Sequence, residues 1–470
     1  MRYAFAILFL LVLFTPIVMR WFIGGADAAP VPAGTQVLTI ISAHPEPIRR
    51  EYQEAFSAWH QQNFGEPIKI NYLSFGTAEA QRVLESRNKS FAQTGSYDID
   101  LIWGGGDTAF DRNFKPFLQG VALPPEMIKQ VFPQPALAGL RLYDASNPPL
   151  WYGTALSSFG IGFNRDVLQY LGLEPPKTWK DLADPRYRGW IVLADPTKSG
   201  SARQAFMAIV ERAMADAVEQ GRTADEGWAR GMGLIRQIAA NARSFNDSAG
   251  ALPGIISSGD VAAGMTIDFF ARSQIQAVGD ARMGYVEPAN ATIINPDPIG
   301  MVKGSRHAEV AKRFIEFLLS EQGQRLWNYK PGTPGGPRLT ALRRLPVRRD
   351  VYNDLSNFTD PVNPFEQTST FNTSRSRTAT FGILGDLIQA SCIDNLEELR
   401  ATRQAILESP QAAKLDALLG TFEYDQQTAL ALANAYSKAS GIEKLEMMRK
   451  WTQAFRDRYV ELRAMAERSH

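Results

Sequence analysis

Two short stretches gather hydroxyl and small residues where a helix is about to start. Thr197, Ser199, Gly200 and Ser201 precede a helical apolar face of Ala202, Phe206, Ile209, Val210 and Ala213. Asn246 and Ser248, within Ser244-Phe245-Asn246-Asp247-Ser248-Ala249-Gly250, repeat the arrangement before the next helix. The first N–H groups of a helix have no intrahelical acceptor and lie at the positive end of its dipole, so such residues suit capture of an anion. Ser and Thr are also ordinary N-caps, and one cluster alone would be read that way. Two clusters, with Ser42 and His44 after the first strand, Gly105, Gly106 and Asp107 after the third and Thr154 further on, point to a ligand site made of loops. Glycine at 104–106 lets backbone N–H groups face a cleft with no side chain in the way.

This chemistry is binding rather than bond making. A triad of His44, Asp107 and a serine can be drawn on paper. The chain has no Gly-x-Ser-x-Gly elbow, Walker loop or metal motif, however, so no catalytic residue and no cofactor is expected. Cys392 is the lone cysteine, and the four histidines stand far apart at 44, 60, 307 and 470, so no Cys/His metal cluster is expected. Cys392 follows an apolar helical run and reads as a buried small hydrophobe.

The elements that must hold these loops alternate. Gln36 to Ile41, Ile68 to Tyr72 and Ile99 to Trp103 read as strands separated by helices, which argues for a parallel sheet with functional loops at the strands' carboxyl ends. The pattern restarts near Tyr152: Thr154 to Phe163 is small and Gly-rich, Trp190 to Ala194 is a short strand, and Ile255 to Thr266 and Met283 to Val286 read as further strands or turns. Ile299 to Lys303 is a strand, and Ala308 to Leu319 is an amphipathic helix. From Thr380 to the end the chain is rich in helix formers.

A length of 470 residues supports two or three domains. Fifty basic against 49 acidic residues remove the electrostatic case for nucleic acid. At the N-terminus, Arg2, the apolar run Ala4 to Met19 and Ala26-Asp27-Ala28 describe a secretory signal peptide over 1–28. The rival is an uncleaved anchor from Ala4 to Ile23, with Arg20 snorkelling. Either places the protein outside the cytoplasm, in the periplasm or its equivalent.

The run from Asn164-Arg165-Asp166 to Gly200 carries a resemblance. It contains Pro176-Lys177-Thr178-Trp179-Lys180-Asp181-Leu182, Asp184-Pro185-Arg186-Tyr187-Arg188-Gly189 and Asp195-Pro196-Thr197-Lys198-Ser199-Gly200. Downstream come Ser258-Gly259-Asp260-Val261-Ala262, Pro296-Asp297-Pro298-Ile299-Gly300, Phe317 to Gln324 and Leu345 to Val351. Together these resemble the type 2 periplasmic solute-binding proteins of ABC importers, in the group with ferric-ion and organic-phosphate binders, over residues 36 to 352. The resemblance implies an α/β fold of two lobes with a C-terminal helical extension. It divides the chain into 36–150 (lobe 1), 151–292 (lobe 2), 293–375 (lobe 1 again) and 376–470 (extension). The stretches Tyr152 to Ser157 and Tyr285 to Ile294 would be hinge strands. It implies a small-molecule ligand between the lobes, permease subunits as partners, and membrane contact only through them or through an uncleaved N-terminal segment.

The ferric-ion members carry adjacent tyrosines where this chain has Asp268-Phe269-Phe270-Ala271-Arg272. Phenylalanine offers Fe(III) no oxygen ligand, which leaves His44 alone. An organic anion such as a phosphate ester or phosphonate is therefore the expected ligand. Phe269 would be an aromatic wall, and Arg272 either a bidentate clamp or a partner of Asp268. Ferric ion or a ferric chelate is the alternative, and a cleft hydrolase or a membrane-associated sensor is the next. The cluster Arg338, Arg343, Arg344, Arg348 and Arg349 reads as a solvated charged face, with a permease or anionic lipid as its other possible neighbour.

Overall fold

The computed structural model describes residues 35–366 and 377–468, so the signal-peptide or anchor reading of 1–28 lies outside the described residues. β1 (Gln36–Ser42), β2 (Ile68–Ser74) and β3 (Leu101–Trp103) are mutually parallel about β1. That arrangement needs crossover segments, which α1 (Glu46–Phe64) and α2 (Thr77–Ser86) provide. β4 (Leu118–Gln119) and β5 (Tyr152–Ser157) follow, and one residue later the chain enters a second sheet.

That sheet contains β6 (Phe159–Asn164), β7 (Ile191–Ala194), β8 (Ala242–Asn246), β9 (Ala263–Ile267) and β10 (Met283–Val286), in the order β8-β7-β9-β6-β10. Its helices include α3 (Gly200–Glu219), α4 (Ala224–Ala240), α5 (Leu252–Ser258) and α6 (Asp268–Val278). The chain returns through β11 (Asn295–Val302), α7 (Ala308–Leu319) and β12 (Leu345–Pro346). The first sheet is then β12-β5-β11-β3-β1-β2, with β4 on β11. In α7, Val310, Ala311, Phe314, Ile315 and Leu318 are buried, the stripe that its spacing requires.

Two local readings change. β5 pairs with β11 on one side and β12 on the other, so it belongs to the first sheet. The first crossing is therefore at Ser158 rather than at 151. Ile255 to Ser258 lies in α5, not in a strand: Pro253 sits in its first turn and Gly259 ends it with φ +90°.

The C-terminal part is helical: α8 (Arg377–Ile388), a π-turn (Gln389–Ile393), α9 (Leu396–Glu408), α10 (Ala412–Leu419), α11 (Gln426–Lys438) and α12 (Gly441–Glu467). It packs on α3 and α4 of lobe 2. Arg236 of α4 is fully buried there. Its Nε donates to Leu419 O and its Nη2 to Thr421 O, each at 2.8 Å, while Nη1 pairs with Glu423 at 2.8 Å. In return Arg403 of α9 donates to Gln237 O at 2.6 Å and to Asn241 Oδ1 at 3.0 Å. Cys392 is buried in this interface, and burial pushes its thiol up to about 11. Among the described residues no helix is long and apolar enough to cross a membrane.

Candidate functional site

Loops from both lobes enclose a cavity of about 440 Å³. Lobe 1 contributes His44, Thr77, Glu79, Arg82, Gly105, Gly106, Asn295, Asp297 and Arg344; lobe 2 contributes Lys198 to Ser201, Gln204, Asp247 to Gly250, Phe269 and Phe270.

The floor is a buried ion pair. Arg344, 3% exposed, donates through Nη1 to Asp297 Oδ2 at 2.7 Å and through Nη2 to Ser157 Oγ at 2.8 Å. Its guanidinium carbon lies 4.5 Å from the ring centroid of Phe269, a cation–π contact between lobes. The other Asp297 oxygen accepts from Gly105 N at 2.7 Å and Gly106 N at 3.3 Å, and Gly104 N donates to Pro298 O at 2.8 Å. Gly105 and Gly106 therefore cradle a carboxylate of the protein itself, where the sequence turns those N–H groups toward a ligand cleft. Burial opposes ionisation of Asp297, yet Arg344, His44 and these hydrogen bonds hold its carboxyl below the usual range.

His44 is edge-on to Trp103, with ring centroids 4.4 Å apart. Arg344 can only donate, so at 3.4 Å it meets the Nδ1 lone pair and the imidazole proton sits on Nε2. Burial holds this histidine down to about 3, with Arg344 adding to the effect and Asp297 opposing it. It is neutral at physiological pH.

Gly105 has φ +111°, and a Cβ there would meet Thr77 Oγ1 at 2.9 Å. Gly105→Ala is expected to cost about 1–2 kcal/mol in urea unfolding from backbone strain alone, because an L-residue resists that φ.

The roof is the start of α3. Ser199 caps it, accepting from Ala202 N at 3.2 Å, and its first turn carries no acidic residue. The N-terminus of α2, with Gly76 and Thr77, faces it; there Glu79 takes part of the helix field. A Cβ on Gly200 would lie 3.2 Å from Gly105 O and 3.3 Å from Thr77 Oγ1, so the lobes touch at this point. Phe269 and Phe270 form a wall, their centroids 4.1 Å apart. The ionisable lining balances: Arg82, Lys198 and Arg344 against Glu79, Asp247 and Asp297. Lys198 pairs with Asp247 at 2.6 Å.

Of the residues expected from sequence, the cavity brings together His44, Gly105, Gly106, Ser199, Gly200, Ser201, Ser248 and Phe269. Others stand behind it as supports. Ser42 Oγ accepts from His44 N at 3.2 Å, and Asp107 Oδ1 accepts from Gln204 at 3.0 Å. Thr154 accepts from Trp103 Nε1 at 3.0 Å and donates to Asp297 O at 2.9 Å. Thr197 bonds Asp195 at 2.6 Å, and Asn246 Oδ1 accepts from Ser248 N at 2.9 Å.

Asp268 and Arg272 do not line the cavity. One turn apart on α6, they face the crossover strands, where Arg272 pairs with Glu287 at 3.3 Å and Ser158 donates to Glu287 at 2.7 Å. Arg272 is thus committed to a protein carboxylate rather than to an oxyanion. Burial raises Asp268 to about 7 against the pull of Arg272.

Sequence reasoning missed Arg344, Asp297, Thr77, Gln204 and Asn295 as site residues. For Arg344 a signal existed: Leu342 and Leu345 bracket the Arg343-Arg344 pair, which suits a buried cation better than a solvated face. The rest of that arginine cluster also has internal partners, Arg338 with Glu54, Arg343 with Asp360, Arg348 with Asp350 and Arg349 with Gln134. Among the described residues no group of three or more His, Cys, Asp or Glu side chains could hold a metal ion.

The phosphoglycerate transport regulatory protein of Salmonella typhimurium is 28% identical over 200 residues, 41% of this chain. The match spans 46% of that relative, about half its length. A periplasmic binding protein of Actinobacillus pleuropneumoniae, solved with exogenous fructose-6-phosphate bound, superposes with a TM-score of 0.50 at 20% identity over 62% of this chain and 82% of its own. Iron-bound HitA of Pseudomonas aeruginosa gives 0.51 at 16% identity over 74% of this chain and 98% of its own. At these identities the structures establish a shared two-lobed fold. The family model described as bacterial extracellular solute-binding protein matches residues 99–343, more than half of the chain and most of the cleft. With both lobes, the crossovers and the enclosed cavity in place, the chain belongs to the bacterial extracellular solute-binding protein family.

Proposed function

We propose that this chain is the extracytoplasmic binding component of an ABC importer, closing its lobes on a small organic anion such as a phosphate ester. The observation that carries this reading is the N-terminus of α3, which enters the cavity with Ser199, Gly200 and Ser201 and with no acidic residue in its first turn. Lys198 and Arg344 are committed to Asp247 and Asp297, so the anion is held chiefly by helix amides and hydroxyls, with the exposed Arg82 as the remaining cation of the lining. Thr77 offers a further hydroxyl from lobe 1, so one ligand bridges both lobes. The Phe269–Phe270 wall takes the less polar body. A phosphate ester appears in the name of one relative, the phosphoglycerate transport regulatory protein, and fructose-6-phosphate is bound in one solved neighbour. No bond is made or broken; permease subunits receive the ligand, and the partner ATPase supplies the energy.

Calorimetric titration tests this with fructose 6-phosphate, 3-phosphoglycerate and unphosphorylated fructose. At least one ester is expected to bind while fructose does not. Ser201→Ala and Thr77→Val are each expected to weaken the ester about 3- to 10-fold, the range for one hydrogen bond to a neutral donor. Equal affinity for fructose and its phosphate would overturn the reading.

A further inference from the structure

The lobes meet a second time, away from the hinge and beyond the ligand-facing hydroxyls. Gly200 and Gln204 stand one turn apart on the face that α3 turns toward lobe 1. Gln204 is buried, and its Nε2 donates to Asp107 Oδ1 at 3.0 Å and to Thr108 Oγ1 at 3.1 Å. Asp107 and Thr108, also buried, open a short helix, Asp107–Ala109, that a π-turn, Phe110–Phe114, prolongs. Further along that turn Arg112 lies against the helical extension, where a Cβ on Gly382 of α8 would sit 2.5 Å from its Nη2. Arg203 ties α8 to α3, with its guanidinium 5.5 Å from the Phe381 ring centroid and Asp386 nearby. Gly200, Gln204 and Gly382 thus form one row, made jointly by lobe 2 and the extension, against residues 105–112 of lobe 1.

The extension is tied to lobe 2: Arg236 and Arg403 are buried at their interface and make seven hydrogen bonds across it. It enlarges the surface that meets lobe 1. At two close approaches, Gly200 and Gly382, the lobe 2 side presents bare backbone, to Gly105 O and Thr77 Oγ1 at the first and to the Arg112 guanidinium at the second.

We propose that Gln204 and α8 form a closure latch: a contact between protein groups that biases the lobes toward the closed form and so sets how tightly any ligand is held. Apparent affinity scales with the fraction of molecules in the binding-competent form, so a latch of this kind acts on all ligands alike. It gives the extension a role that the two-lobed fold by itself leaves open.

The test is Gln204→Glu, which sets a second carboxylate beside Asp107, and its repair by Gln204→Glu/Asp107→Asn. Small-angle X-ray scattering of the full chain without added ligand should show wild type more compact than Q204E, with the double variant returning to the wild-type radius of gyration. Gly382→Leu, which forces Arg112 aside and lies away from the ligand cavity, should expand the protein in the same way and serves if Q204E folds poorly. In titrations with fructose 6-phosphate, Q204E should weaken binding about tenfold or more and the double variant should recover most of it. The affinity arm rests on the organic-anion reading and the scattering arm does not, so the two fail separately. Identical scattering from wild type, Q204E and G382L, or expansion that D107N does not repair, would overturn the latch.

Discussion

Arg344→Ala is expected to lower stability by about 3–5 kcal/mol and to weaken ligand binding by about 100-fold or more. The reason is the state of the partner left behind. Asp297 is held ionised by Arg344 at 2.7 Å together with two glycine amides, and alanine would leave a buried carboxylate without its countercharge. The same change unseats Ser157 at the crossover and removes the cation stacked on Phe269. Arg344→Lys keeps the charge but loses the planar fork that spans Asp297 and Ser157, so it should recover only part of the loss. Arg344→Met/Asp297→Asn, which removes both charges, should recover most of the stability without restoring affinity. Urea unfolding and calorimetry read the two effects apart. A single alanine variant as stable as the double variant would show that the pair carries no such weight.

The second large effect is a pair of opposed pH dependences. His44 is held down to about 3 by burial, from an ordinary value of 6.5. Its contribution to stability is full above pH 6.5 and is lost as pH falls toward 3. Asp268 is raised to about 7 by burial, from 3.8, with Arg272 and Arg344 pulling down and Glu287 pushing up. Its contribution is full below about pH 4 and is lost as pH rises toward 7. Each shift corresponds to about 4–5 kcal/mol, and between pH 4 and 6.5 they oppose one another. His44→Gln should therefore make stability fall more steeply with rising pH than in wild type, and Asp268→Asn should do the reverse. The expected change is about 2–3 kcal/mol of opposite sign between pH 4.5 and 6.5, read by urea unfolding at the two values. The same sign of change in both variants would contradict the assignment of burial as the cause.

Much of the fold was legible because its signals are local. The strand at Gln36–Ser42, the helix at Ala308–Leu319 and the helical C-terminus follow from periodicity and composition. So does the roof of the cavity, since Ser199 caps the helix that Gly200 and Ser201 begin. What was not legible is set by distant pairings. Arg344 meets a carboxylate 47 positions away and a hydroxyl 187 away, and beside Arg343, Arg348 and Arg349 it reads as surface. Asp268 and Phe269 are adjacent, yet the helix turns one toward the crossover strands and the other into the cavity. Spacing alone could not say which residue faced the ligand. The glycine triplet reads in sequence as N–H groups facing a cleft, but Gly105 and Gly106 donate to Asp297, on a strand almost two hundred residues later.

The most direct measurement is native mass spectrometry of the protein purified from its own host. A one-to-one complex is expected, with a small organic molecule that releases phosphate or a comparable oxyanion on fragmentation, and this complex should be absent in Arg344→Ala. Iron at full occupancy, or a retained cationic amine, would contradict a cleft built around the amides and hydroxyls of α3.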